Sequence, residues 1–252
     1  MGAFAPLRVL HWRTSTSIDP PMTRRSTRIA LLALLLPLPL LAHAQSDEQM
    51  CRNGLFPREN TTFSLARVTG AGKLHFLEDL SGCPEKGGSA CEQRAYVLPG
   101  DTVLVSKRRS GFRCAFYPNK GGGSAGWVTD DRIEEIPIDK APALRQWTGT
   151  WTDGDNKIVL GVRGKALHAT GEAYWPSKQP SAQFPGGPNL GDLEAIATPA
   201  QNTVKFVEGS GGSSSDVCRV SASLVGEWLV VGDNQMCGGE NVSFSGVYRR
   251  QR

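Results

Sequence analysis

After residue 44, no stretch of this chain holds a helical apolar period through three turns. Short apolar runs are instead cut every few residues by Gly, Pro, Asn or Asp, the residues that punctuate strands. The clearest run is 167–175, where Leu167, Ala169, Gly171, Ala173 and Trp175 share one face and His168, Thr170, Glu172 and Tyr174 the other. A period of two predicts a half-buried strand. The fold class expected is therefore all-β, built as two small antiparallel barrels that follow a cleaved signal peptide.

The leader is residues 24–44. Arg24, Arg25 and Arg28 precede an unbroken apolar run from Ile29 to Leu41, and Ala42-His43-Ala44 supplies small residues at a cleavage site. That is the three-part pattern of a secretory signal. The run is shorter than the roughly 20 residues of a membrane span, and it contains Pro37 and Pro39. No integral span is expected in the mature chain, and the expected location is periplasmic or extracellular. Residues 1–21 fit poorly ahead of such a signal, so Met22 is the expected start and 1–44 counts as over-extension plus leader. The formal net charge of +4 arises from Arg8, Arg13, Arg24, Arg25 and Arg28 against Asp19, all before the cleavage site. The mature chain is formally neutral, which argues against a nucleic-acid partner. The one basic cluster, Lys107-Arg108-Arg109, reads as a solvated turn.

Six cysteines follow the leader, and an even count in an exported chain predicts disulfides. No CxxC pair is present, so neither a zinc ribbon nor a redox centre is indicated. Six cysteines allow 15 pairings. The pairing favoured is Cys83–Cys91 and Cys218–Cys237, which close local loops, with Cys51–Cys114 tying an N-terminal arm (45–62) to a strand.

Between residues 63 and 137, AYVLPGDTVLV, GFRCAFY and SAGWVTDDRI carry three strand runs, a Pro-Gly-Asp turn and a brief helical turn at 130–133. These segments resemble the bacterial SH3-like domain, a small barrel of five or six strands with a Gly-Asp turn and a Gly-Trp pair opening a late strand. The resemblance implies a binding module, some of whose members engage peptidoglycan stem peptides. The segment that shapes the family's groove is replaced here by His75-Phe76-Leu77-Glu78-Asp79 and a Cys83–Cys91 insertion. Residues 138–146 have the composition of a linker.

From Trp147 to the end, short strands with tight turns predict an up-and-down meander closing on itself. WTGTW opens it as a strand, Asp153-Gly154-Asp155-Asn156 turns a hairpin, and residues 176–191 form a Pro/Gly-rich loop. The opening WTGTW and closing NVSFSGVYRR resemble the first and last strands of a lipocalin- or avidin-like barrel. The tail DNQMCGGENVSFSGVYRR is similar to tails of bacterial envelope proteins, some of them with lysozyme-inhibitor-type modules.

Catalytic patterns are not legible. His75 and His168 lie far apart, neither beside a plausible nucleophile, and no G-x-S-x-G occurs. The Asp153 loop departs from a calcium loop at its sixth and twelfth positions, Ile158 and Gly164. Gly121-Gly122-Gly123-Ser124 lacks the ending of a phosphate-cradling loop, and Glu134-Glu135 point to opposite sides of an extended chain. No cofactor or metal motif is present. The ligand-binding candidates are aromatic: Tyr96, Tyr117, Trp127, Trp147 and Trp175. Trp also plugs small barrels, so Trp127 and Trp151 read first as core, while Trp175 beside the Pro/Gly loop is open to either role. The expectation is a secreted, non-enzymatic envelope binding protein whose partner is peptidoglycan, an envelope protein or a cell-wall enzyme such as lysozyme. The alternative is a small-molecule carrier with its ligand in the second barrel.

Overall fold

The computed structural model describes residues 50–58, 62–119, 121–176, 188–209 and 216–252. The leader, the start of the arm and most of the Pro/Gly loop lie outside the described residues. Among the described residues the regular structure is almost all β, in two antiparallel sheets.

The first sheet has seven strands: β1 (Ser64–Val68), β2 (Leu74–Leu77), β3 (Glu92–Val97), β4 (Thr102–Arg109), β5 (Phe112–Tyr117), β6 (Ser124–Thr129) and β7 (Ile133–Ile136). Their spatial order is β3-β2-β6-β5-β4-β1-β7. The Pro99-Gly100-Asp101 turn forms as expected. Gly100 takes a positive φ of 92°, and the Asp101 carboxylate accepts the Leu98 N–H at 2.7 Å. A 3-10 turn spans Asp130–Arg132. Lys107-Arg108-Arg109 is a correction: the run is the end of β4, not a turn. Carboxylates across the surface neutralise it, with Arg108 3.0 Å from Glu135 and Arg109 2.6 Å from Glu85.

The second sheet has eight strands: β8 (Gly149–Thr152), β9 (Lys157–Arg163), β10 (Ala166–Trp175), β11 (Asn189–Ala197), β12 (Thr203–Val207), β13 (Arg219–Val225), β14 (Trp228–Asp233) and β15 (Gly246–Arg250). Consecutive strands are neighbours in β8 to β11 and again in β12 to β15, and the first strand pairs with the last through Thr152–Arg249 and Trp151–Arg250. The ladder is interrupted between β11 and β12, so the meander is a nearly closed barrel. The predicted alternation in β10 holds from Leu167 to Ala173, all buried at alternate positions, and ends at Trp175, which is 46% exposed.

Side chains fill the barrel. Trp151, Ile158, Leu160, Leu167, Phe206 and Leu229 are among its wholly buried residues. The β14–β15 connection was expected to be strand from Val242 onward. Instead residues 242–245 fold over the barrel as a plug, with Val242 and Phe244 buried in the interior cluster. Two inward-facing glycines make the room. A Cβ on Gly171 would lie 2.9 Å from the Phe244 ring, and one on Gly191 would lie 2.7 Å from Val242 and 2.1 Å from the Cys237 carbonyl oxygen. Polar groups hold the plug in place. Asp233 accepts the Phe244 N–H at 2.6 Å and the hydroxyls of Ser243 and Ser245. Asn156 donates to the Ser243 carbonyl at 3.1 Å. The Tyr248 hydroxyl donates to the Phe244 carbonyl at 2.8 Å.

Trp147 is a second correction. It closes a one-turn helix, α1 (Leu144–Trp147), and strand begins only at Gly149. The Gln146 side chain accepts the Ala143 N–H at 2.6 Å and so caps that turn. Trp147 then drops into the barrel cluster, where its carbonyl accepts the Trp151 indole N–H at 2.8 Å.

The sheets share a core. Leu104, Phe116 and Trp127 of the first sheet pack in one cluster with Val225, Trp228 and Val230 of the second. The arm, which read as polar, supplies Cys51 and Phe56 to the same cluster, and Phe56 stacks on Phe116 with ring centroids 5.4 Å apart. Buried Asp79 fastens the arm, accepting the Cys51 N–H at 2.7 Å and pairing with Arg52. Two glycines allow the sheets and arm to close: a Cβ on Gly226 would lie 2.8 Å from Leu65, and one on Gly232 2.7 Å from the Pro57 carbonyl. Three disulfides join Cys51–Cys114, Cys83–Cys91 and Cys218–Cys237, the pairing favoured from sequence, and no cysteine is free. Among the described residues no helix is long and apolar enough to cross a membrane.

Candidate binding cleft

The five aromatic candidates do not meet. Trp127 is wholly buried in the core shared by the sheets, and Trp147 is wholly buried in the barrel. Neither presents a ring to solvent. Tyr96 lies 41% exposed on β3, with its ring tilted against His75 and the Lys73 ammonium 4.1 Å above it. Tyr117 is half-buried at the end of β5. Trp175 lines a cleft of about 460 Å³ with Arg58 and Glu240. The histidines are apart as well. His75 Nδ1 sits 2.9 Å from the Gln93 carbonyl, and His168 lies on the outer face of β10, 3.5 Å from Glu194.

A larger concavity lies elsewhere, between the sheets, with a volume of about 1080 Å³. One wall is the outer face of β12, β13 and β14. Register sets its rows: Thr203, Ser223 and Val230 side by side, then Lys205, Ser221 and Gly232. Small side chains there leave space that ordinary surface residues would fill. The opposite wall comes from β1, β4 and β7, including Ser64, Ser106 and Ile136, and Phe63 and Ile138 add apolar surface.

Charge in the cleft divides into a neutralised pair of arginines and two lysines. The Arg113 guanidinium, 5% exposed, reaches Asp130 at 3.2 Å and Glu135 at 2.8 Å. Arg108 reaches the same two acids at 3.4 and 3.0 Å. Two guanidinium groups against two carboxylates sum to zero, and burial is compensated by bonding. Lys140, in the connection between sheets, and Lys205, on β12, form no ion pair among the described residues, so they give the cleft its positive sign. No group of three or more metal-ligating side chains occurs among the described residues.

Sequence reasoning missed these residues because they come from seven separate strands and the segments between them. One signal was present. RVSASLV at 219–225 alternates apolar residues with serines instead of charges, marking an outer face that something approaches closely. No family model, curated protein or solved structure matches the chain. What the fold itself defines is an all-β, three-disulfide chain with a hydroxyl-lined cleft between two sheets.

Proposed function

We propose that this chain is an exported, non-enzymatic binding protein of the cell envelope, that its contact surface is the cleft between the sheets, and that its partner is peptidoglycan. The observation carrying this reading is the cleft's lining: serine and threonine hydroxyls on a small-residue sheet face, apolar surface from Phe63 and Ile138, and Lys140 and Lys205 as the unneutralised charges. Hydroxyls and an apolar floor suit acetylated sugars, and two ammonium groups suit the carboxylates of a short stem peptide. Three disulfides without a free thiol fit an oxidising compartment, and the periplasm supplies both that compartment and the partner. The carrier alternative draws no support from the barrel, whose interior is occupied by side chains and the plug.

Retention of the purified chain on isolated sacculi tests the reading. Ser221→Trp, which fills the cleft floor, and the pair Lys140→Glu and Lys205→Glu should each reduce retention several-fold. Trp127 is unsuitable for such a test, because its replacement would disturb the shared core. Retention absent in the wild type would remove peptidoglycan as partner, and retention unchanged in all of these variants would remove the cleft as its contact surface. Inhibition of lysozyme by a chain that sacculi do not retain would point to a protein partner instead.

A further inference from the structure

Strand β15 ends in Tyr248-Arg249-Arg250, followed by Gln251 and Arg252. Alternation turns Tyr248 inward and sends Arg249 and Arg250 to opposite faces, each onto the tryptophan that is its cross-strand partner. Arg249 pairs with Trp228 of β14 and holds its guanidinium carbon 4.2 Å from that ring's centroid. Arg250 pairs with Trp151 of β8 and lies 4.7 Å from that centroid. Each guanidinium also donates once to a backbone carbonyl: Arg249 to Pro118 at 3.4 Å, and Arg250 to Gln146. Neither forms an ion pair among the described residues. Stacking has already restricted both side chains, and most of their five N–H donors remain available.

Both arginines line one cleft of about 810 Å³ at this end of the barrel, together with Arg252. Two acidic side chains line the cleft. Asp139 is engaged with its own connection, accepting the Ala141 N–H at 2.9 Å and the Gln146 amide at 3.4 Å. Glu227 sits in the β13–β14 turn. Three guanidinium groups therefore face two side-chain carboxylates, one of them already hydrogen-bonded.

We propose that this cleft is an anion site that takes a phosphate-bearing ligand. A carboxylate is satisfied by a single guanidinium fork, whereas a phosphate has enough oxygens and charge to accept from several. The stacked, restricted arginines lose little further freedom on binding. The site is separate from the cleft between the sheets and does not depend on peptidoglycan being its ligand.

Calorimetric titration of the purified chain with inorganic pyrophosphate at low salt tests the proposal, with acetate as the carboxylate comparison. The expected result is saturable binding with a Kd below about 1 mM, and much weaker binding of acetate. Arg249→Gln with Arg250→Gln should raise Kd at least about tenfold, and Arg249→Lys with Arg250→Lys should also raise it, since lysine keeps the charge but loses the stacked fork. Arg252→Gln, exposed and with no packing to lose, should raise Kd several-fold and guards against misfolding of the double variants. Lys140→Gln and Lys205→Gln should leave it unchanged. No saturation by about 10 mM, acetate binding as tight as pyrophosphate, or a Kd indifferent to all the arginine substitutions would overturn the proposal. Co-sedimentation with phosphatidylglycerol vesicles, against phosphatidylcholine ones, then separates a lipid headgroup from a free phosphate compound as the ligand's source.

Discussion

Gly191 faces into the barrel where a Cβ would meet the Cys237 carbonyl oxygen at 2.1 Å. A backbone atom cannot swing aside, so Gly191→Ala must displace the connection that carries the plug. It should lower stability by about 2 kcal/mol or more in denaturant unfolding, in line with overpacked cores. Gly161→Ala on β9, where nothing lies within 4 Å, should stay within about 0.5 kcal/mol of wild type. Asp153 gives a second test at this scale. Burial raises its carboxyl above the ordinary value of 3.8, against the opposing hydrogen bonds from the Asn156 backbone and side chain. A raised folded value means that the folded chain binds more protons than the unfolded one from pH 3.8 upward, so stability falls as pH rises through that window. Asp153→Asn should flatten this slope in denaturant midpoints measured between about pH 3 and 6, at the cost of an acceptor for the Asn156 amide, which donates to Asp153 at 3.1 Å. An unchanged slope would exclude Asp153 as its source.

Among the elements, the three disulfides close very different lengths of chain: Cys51–Cys114 spans 63 residues, Cys218–Cys237 spans 19 and Cys83–Cys91 spans 8. Restricting the unfolded chain stabilises more for longer loops, by about 2–4 kcal/mol in typical cases. Paired Cys→Ser variants should therefore lose stability in that order, as read by chemical unfolding. Loss of Cys218–Cys237 should have an added local signature. It frees the start of the plug connection from the segment leading into β13, so hydrogen exchange at Phe244 should accelerate while the first sheet stays protected. Equal exchange across both sheets would show that the plug does not depend on that bond.

For the whole molecule, the cluster joining Leu104, Phe116 and Trp127 to Val225, Trp228 and Val230 couples the two sheets. Separating them would expose Trp228 and Phe56, each worth about 1.5–3 kcal/mol when buried. Calorimetric unfolding should accordingly show one transition, and Trp228→Ala should shift it as a whole, by about 3 kcal/mol. Two resolved transitions would mean that the shared cluster contributes too little to link the sheets.

Strand content, the hairpin at 153–156, the pairing of the first and last barrel strands and the disulfide-bonded state of the six cysteines were legible in the sequence, the observed pairing being the one favoured among 15. Each follows from local chemistry: a period of two, turn residues with the required backbone freedom, and an even number of cysteines without a CxxC pair. Three features were decided in three dimensions. Trp147 reads as strand among threonines, yet a capping glutamine and room inside the barrel turn it into a helical residue. Residues 242–244 alternate like a strand, yet Gly171 and Gly191 on other strands open the space that draws Val242 and Phe244 inward. Lys140, Lys205 and Ser221 share nothing in sequence and line one cleft because the outer face of one sheet packs beside the edge of another. Sequence alone determined what each segment could form, because backbone preference and periodicity act over a few residues. Which faces met, and so where a ligand could sit, depended on packing between residues far apart in the chain, and no local pattern records that.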